Sequence, residues 1–113
     1  MWVSTRQGAW RIEVAELEAI VAADDYVMLH AAAQSHLHRS RLLEVEASLP
    51  ADDWVRVHRS ALVRLLAIVS LHGSARRARV TLRSGRVVAV SRSHLPVLRA
   101  RLGLDRPRQG GGG

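Results

Sequence analysis

The chain has 113 residues, of which 48% are apolar and 4% aromatic, with no cysteine and a formal net charge of +7. That length suits one domain with an aliphatic core, and the lack of cysteine excludes a disulfide framework or a thiolate metal centre. No apolar run approaches the roughly 18 residues of a membrane-spanning helix. Met1 to Arg11 lack the apolar stretch of a secretion signal, so a soluble, cytoplasmic protein is expected.

In chain order, Val3 to Val14 reads as two short strands around a break at Gln7-Gly8. Ala15 to Ile20 is too short for much beyond a helical turn. Tyr26 to Ala31 is a strand, and Ala33 to His38 is placed to pair back on it. Arg41 to Leu49 carries Leu42, Val45 and Leu49 at helical spacing, with Ser40 to cap the start and Pro50 after the end. Trp54 to His58 alternates, Val55 and Val57 on one face and Arg56 and His58 on the other. Ala67 to Leu71 is another apolar strand. Arg79 to Val90 is the clearest hairpin, two alternating runs about Ser84-Gly85. A two-residue loop would set Arg83 opposite Arg86, an unfavourable like-charge pair that suits an end facing solvent or phosphate. The last element is a short helix, with Ser93 at its cap, Pro96 in its first turn, Leu95, Leu98 and Leu102 as its apolar stripe, and Gly103 at its end. Many short strands with two small helices make a mainly β domain.

All 17 basic residues are Arg, and they are unevenly placed. Residues 1–55 carry a net charge of −5 and residues 56–113 a net +12. Such segregation points to a polyanion as partner of the second half, since the planar guanidinium fork matches phosphates and guanine edges. A solvated Arg-rich surface is the plainer reading of the same charges.

Two stretches could carry chemistry. In Trp54 to Arg64 an alternating strand runs into a polar corner, His58-Arg59-Ser60, which can donate several hydrogen bonds at once. It could hold phosphates through Arg56, His58, Ser60 and Arg64, and Arg59 suits guanine O6 and N7. His58 and Ser60 could equally brace the turn. In Gly85 to His94 a strand ends in Ser91-Arg92-Ser93-His94 just before the last helix. Backbone N–H groups at a helix start attract phosphate, and Arg92 would project beside them, although Ser91 or Ser93 could simply cap. Arg11, Arg76, Arg77, Arg79 and Arg83 are further candidate phosphate contacts. His30, His36 and His38 lie close in sequence, but no acid or cysteine completes a metal set. Ser60 with His58 lacks the geometry of a nucleophile and base. No metal, cofactor, small-molecule substrate or enzymatic activity is expected.

These stretches also carry a resemblance. Arg56-Val-His58-Arg59-Ser60 followed by Leu62-Val63, together with Val90-Ser91-Arg92, resembles the signatures of LytTR-type DNA-binding domains. Ile20 through Asp25-Tyr26-Val27, the helix Leu42 to Leu49-Pro50 and the turn Ser84-Gly85 are similar to further motifs of that family, in the same order. The match spans roughly residues 10 to 102. It implies about ten short strands in stacked antiparallel sheets, an elongated β sandwich; with the two short helices the domain is expected over residues 1–104, and the polar, Gly-rich residues 105–113 as a flexible tail. It implies a bacterial transcriptional regulator, the effector domain of a response regulator, binding double-stranded DNA. Loops would enter the major groove, two copies would sit on direct repeats, and a receiver or sensor domain would belong to a longer chain. Carried over by position, the base-reading sites are Arg59, Arg92 and the pair Asp25-Tyr26; Ser91, Ser93 and His94 are expected at phosphates from their place at the helix start. Arg64 stands where the family commonly has Asn, and Asp24-Asp25 follow Ala22-Ala23 where it commonly has Glu-Ala before its polar-Tyr pair, which implies a different target sequence. The rival expectation is a protein-interaction module that pairs with or antagonises a related regulator without touching DNA.

Overall fold

The computed structural model describes residues 1–104, so the expected tail lies outside the described residues. Strands β1 (Trp2–Thr5) and β2 (Gly8–Arg11) form an N-terminal hairpin. Strands β3 (Leu17–Ala23), β4 (Tyr26–Ala31), β5 (Ser35–His38), β6 (Trp54–His58) and β7 (Ala61–Arg64) form a five-stranded sheet in the order β5-β4-β3-β7-β6. Strands β8 (Ile68–His72), β9 (Arg79–Leu82) and β10 (Val87–Ala89) form a third sheet in the order β10-β9-β8. Helices α1 (Leu42–Ser48) and α2 (Leu95–Arg101) complete the architecture. All the pairings are antiparallel. Strand makes up 44% of the structure against 19% helix, which makes the domain mainly β. Its extents, 58 × 25 × 25 Å, make it elongated.

The five-stranded sheet is covered on both faces, and this explains one departure from the sequence reading. Ala15 to Ile20 does not end in a helical turn: a short 3-10 turn at Val14–Glu16 leads straight into β3. A bulge between Leu17 and Ala19 in β3 sets the alternation that follows. Ile20 then joins Val3, Val27, Leu29, Leu42, Val45 and Trp54 in one core, beneath α1 and the N-terminal hairpin. Ala19 joins Val55, Val57, Val63, Val80 and Leu98 in the other, beneath the third sheet and α2. A strand buried on both sides shows no two-fold polar alternation, so its apolar run resembles a fragment of helix.

The late hairpin also differs. Thr81 pairs with Val87, the Leu82 N–H donates to the Arg86 carbonyl and the Gly85 N–H to the Leu82 carbonyl, both at 2.8 Å. The loop therefore holds three residues rather than two, with Gly85 at φ +94° supplying the positive angle such a loop requires. Arg86 then lies opposite Leu82, and the like-charge pairing with Arg83 does not arise.

Both helix caps shift by a residue or more. Ser40 does not cap α1; the Glu44 carboxylate reaches back to the Arg41 N–H at 3.2 Å. At α2 the Ser91 carbonyl accepts from the His94 and Leu95 N–H groups at 3.1 and 3.0 Å. Ser91, not Ser93, opens that turn.

Candidate nucleic-acid interface

Backbone hydrogen bonds gather three bends at one end of the five-stranded sheet. Strand β3 runs antiparallel to β7, and the Ala22 N–H donates to the Ser60 carbonyl at 2.8 Å. The Asp24-Asp25 turn, where Asp24 has φ +56°, therefore leaves the sheet beside the Arg59-Ser60 bend. The third bend is tied in by the Ser91 N–H, which donates to the Val57 carbonyl at 2.8 Å. Helix α2 fixes the far side of that bend. Leu98 is fully buried in the core, and Arg101 donates to the Trp54 and Ala51 carbonyls at 2.8 and 2.7 Å.

Arg59 and Arg92 sit on two of these neighbouring bends, both exposed. Among the described residues neither guanidinium has a hydrogen-bond or ion-pair partner. Between the bends lies a hollow of about 590 Å³, which brings His58 and Arg92 together with Arg76, Arg77 and Arg79. The two loop arginines are presented by a tight turn. The Arg77 N–H donates to the Ser74 carbonyl at 2.9 Å, and Gly73 has φ +89°. Among the described residues no carboxylate lines this hollow, so field from its four guanidiniums is not cancelled locally.

His58 and Ser60 brace their bend as well as facing the hollows. The Ser60 N–H donates to His58 Nδ1 at 3.2 Å, and the Ser60 hydroxyl lies 2.9 Å from the same nitrogen. An amide can only donate, so Nδ1 accepts, and the proton of the neutral ring sits on Nε2. The third bend is built similarly, with the Ser91 hydroxyl 2.5 Å from His94 Nδ1 and the Ser93 hydroxyl 3.4 Å from it.

Other residues expected at phosphates have internal partners. Arg64 donates from Nε to the Leu17 carbonyl at 2.8 Å and from Nη2 to the Val14 carbonyl at 2.5 Å, and lies 5.3 Å over the Trp54 ring. That guanidinium ties β7 to the entry of β3, which is why Arg fits here. Arg56 forms an ion pair with Glu46 and donates to the Arg59 carbonyl at 2.8 Å, so it stiffens the bend from beneath. Arg83 donates to the Leu66 carbonyl at 3.0 Å, at the opposite end of the β9–β10 hairpin from Arg79. Arg11 lies 5.2 Å over Trp2, on the N-terminal hairpin, which packs against β5, the edge strand farthest from β6. Asp25 is exposed at its turn, whereas Tyr26 lines a separate hollow with Trp10 and Leu37.

A second, smaller hollow of about 270 Å³ adjoins the first across His58. It contains Arg86, which the sequence placed only as a like-charge partner of Arg83, and His30, weighed there only as a metal ligand, beside Ser60 and Val21. Burial, then the charge of Arg86, push the His30 imidazole below its ordinary pKa. The only sequence signal for Arg86 is its place after the hairpin glycine, and a two-residue loop conceals it.

A mainly β domain of stacked antiparallel sheets, with arginine-bearing bends at one end and, among the described residues, no carboxylate lining the hollow beside them, has the surface of a polyanion-binding module. The chain belongs to the LytTr DNA-binding domain family, whose model matches residues 7–103. It is therefore a DNA-binding domain of a kind used in transcription regulation, a family of binding modules rather than of enzymes. Among solved structures it is similar to the LytTr DNA-binding domain of a putative methyl-accepting/DNA response regulator from Bacillus cereus. The two share 25% identity and a TM-score of 0.80, over 91% of this chain and 95% of that one. No curated protein sequence matches the chain. No helix among the described residues is long and apolar enough to cross a membrane.

Proposed function

We propose that this chain binds double-stranded DNA sequence-specifically, as a cytoplasmic transcriptional regulator, with Arg59 and Arg92 reading major-groove base edges. Arg76, Arg77, Arg79 and His58 hold the intervening phosphates, with Ser91, Ser93 and His94 presenting donors at the third bend. The observation that carries this reading is the pair of guanidiniums on adjacent bends, unpartnered among the described residues, with Arg92 lining a hollow that holds three further arginines and, among those residues, no acid. Direct contacts to bases specify a site, whereas phosphate contacts position the protein. Arg56 and Arg64 act from within, by holding the strands that carry the bends. Two copies on direct repeats, and a receiver or sensor domain elsewhere in a longer chain, belong to this proposal.

Selection of bound sequences from random duplex DNA at two salt concentrations tests it. An enriched motif with paired half-sites, bound with an affinity that falls steeply with salt, is the expected result. Retention of duplex with no enriched sequence would exclude base reading and leave only backbone affinity.

A further inference from the structure

The notch between the two larger sheets is a second basic surface, and of its lining groups the phosphate contacts proposed above use only His58. Strand β10 is an edge strand, and its face towards β3 and β4 leaves a hollow of about 270 Å³. Arg86 enters it from the hairpin, His30 from β4, and His58 and Ser60 from the bend between β6 and β7. Among the described residues no carboxylate lines it. Arg86 Nε is buried and has no hydrogen-bond partner. A buried donor left without an acceptor costs free energy, and here the donor belongs to a permanent cation. His30 Nδ1 is taken by the Ser35 hydroxyl at 2.6 Å, which leaves Nε2 as its remaining polar atom. Arg83, three residues earlier, satisfies its own Nε on the Leu66 carbonyl. The three-residue hairpin loop is what separates the two arginines, sending one to a carbonyl and the other into the notch.

We infer that this notch seats a DNA backbone phosphate, bound by Arg86 with His30 and the outward nitrogen of His58 beside it. Charge and donor chemistry select an anion. The notch shares His58 with the larger arginine-lined hollow, so one nucleic-acid strand can run past both. The inference rests on the DNA-binding reading above and extends the footprint inward, from the protruding bends to the seam between the sheets.

The test compares Arg86→Ala, Arg83→Ala and Arg59→Ala on a duplex recovered by selection and on a random duplex of equal length. For Arg86→Ala, binding should weaken by the same factor on both duplexes, and the slope of log affinity against log salt should become shallower by about 0.9. Arg83→Ala should leave the slope unchanged. Arg59→Ala should lose more on the selected duplex than on the random one. Since Arg86→Ala could perturb the hairpin, ring resonances of His30 in the unsubstituted protein provide a second readout, and they should shift on addition of duplex. An unchanged salt slope in a folded Arg86→Ala variant, or His30 resonances indifferent to duplex, overturns the notch while Arg59 keeps its role. A protein that binds neither duplex overturns both readings together.

Discussion

The Ser91 N–H donates to the Val57 carbonyl at 2.8 Å, and this bond sets the bend that carries Arg92 beside the bend that carries Arg59. The two arginines are 33 positions apart in sequence, on loops from different sheets. Their adjacency is a backbone fact, and it does not depend on the side chains that would meet DNA. Substituting either arginine should therefore change recognition without changing the frame.

Arg59→Ala and Arg92→Ala should each cost about 1–3 kcal/mol of affinity for a selected site and relax the base preference where that arginine reads. Among the described residues neither guanidinium has an internal partner, so denaturant midpoints should stay close to those of the parent. Competition binding with single-base variants of the selected site checks the first part. Equal losses on selected and random duplex would remove both residues from base reading.

Arg64→Ala should behave in the opposite way. Its guanidinium holds the Leu17 and Val14 carbonyls and stacks on Trp54, joining β7 to the start of β3. Hydrogen bonds to charged groups contribute roughly 1.5–3 kcal/mol each to stability, and both would be lost. Urea unfolding should show a loss of about 3 kcal/mol or more. The salt slope of DNA binding in the surviving folded protein should be unchanged. A shallower slope with unaltered stability would return Arg64 to the DNA-facing set.

Stability should fall on mild acidification. Burial lowers the pKa of His30, helped by Arg86, and burial lowers that of His38, against a smaller opposing contribution from the Ser4 backbone. Both folded values lie below the ordinary 6.5. Between the folded and unfolded values the unfolded chain binds more protons, so stability is fully present above pH 6.5 and is lost as the pH falls through the folded values. Urea midpoints at about pH 7.5 and about pH 5.5 should differ in that direction. The difference should shrink when His30 and His38 are replaced by Gln. Its persistence in that double variant would place the acid sensitivity elsewhere.

Much of this fold was legible in the sequence because most strands have one covered face. Trp54–His58 and the runs flanking the late hairpin alternate cleanly, and their extents lie within a residue or two of the sequence reading. β3 was not legible, since both of its faces are buried and its apolar run has no two-fold rhythm. The same limit applied to the site. Charge segregation and the corners at Arg59 and Arg92 were visible as local patterns. The internal engagement of Arg64, and of Arg56 with Glu46, was not, because those acceptors lie 10 to 50 residues away. Arg86 and His30 were hidden for a related reason, since only the three-residue loop and the packing of two sheets bring them together.

The loop between β8 and β9 gives the sharpest separation of geometry from charge. A Cβ at Gly73 would lie 2.3 Å from the Arg77 carbonyl oxygen, and the clash is with backbone, which cannot swing aside. Gly73 also has φ +89°, which a side chain strains. Gly85 has a similar angle, +94°, but open space where its Cβ would stand. Gly85→Ala should therefore carry only the backbone strain, on the order of 1–3 kcal/mol, whereas Gly73→Ala must also displace the turn that presents Arg76 and Arg77. Both variants keep all 17 arginines. Gly73→Ala should weaken DNA binding and flatten its salt dependence, since two cations are re-aimed away from the hollow beside Arg92. Gly85→Ala should lower the unfolding midpoint while leaving that slope nearly intact. If the two variants bound duplex alike at every salt concentration, the position of the 73–78 loop would be irrelevant to DNA, and Arg76 and Arg77 would act only as diffuse charge.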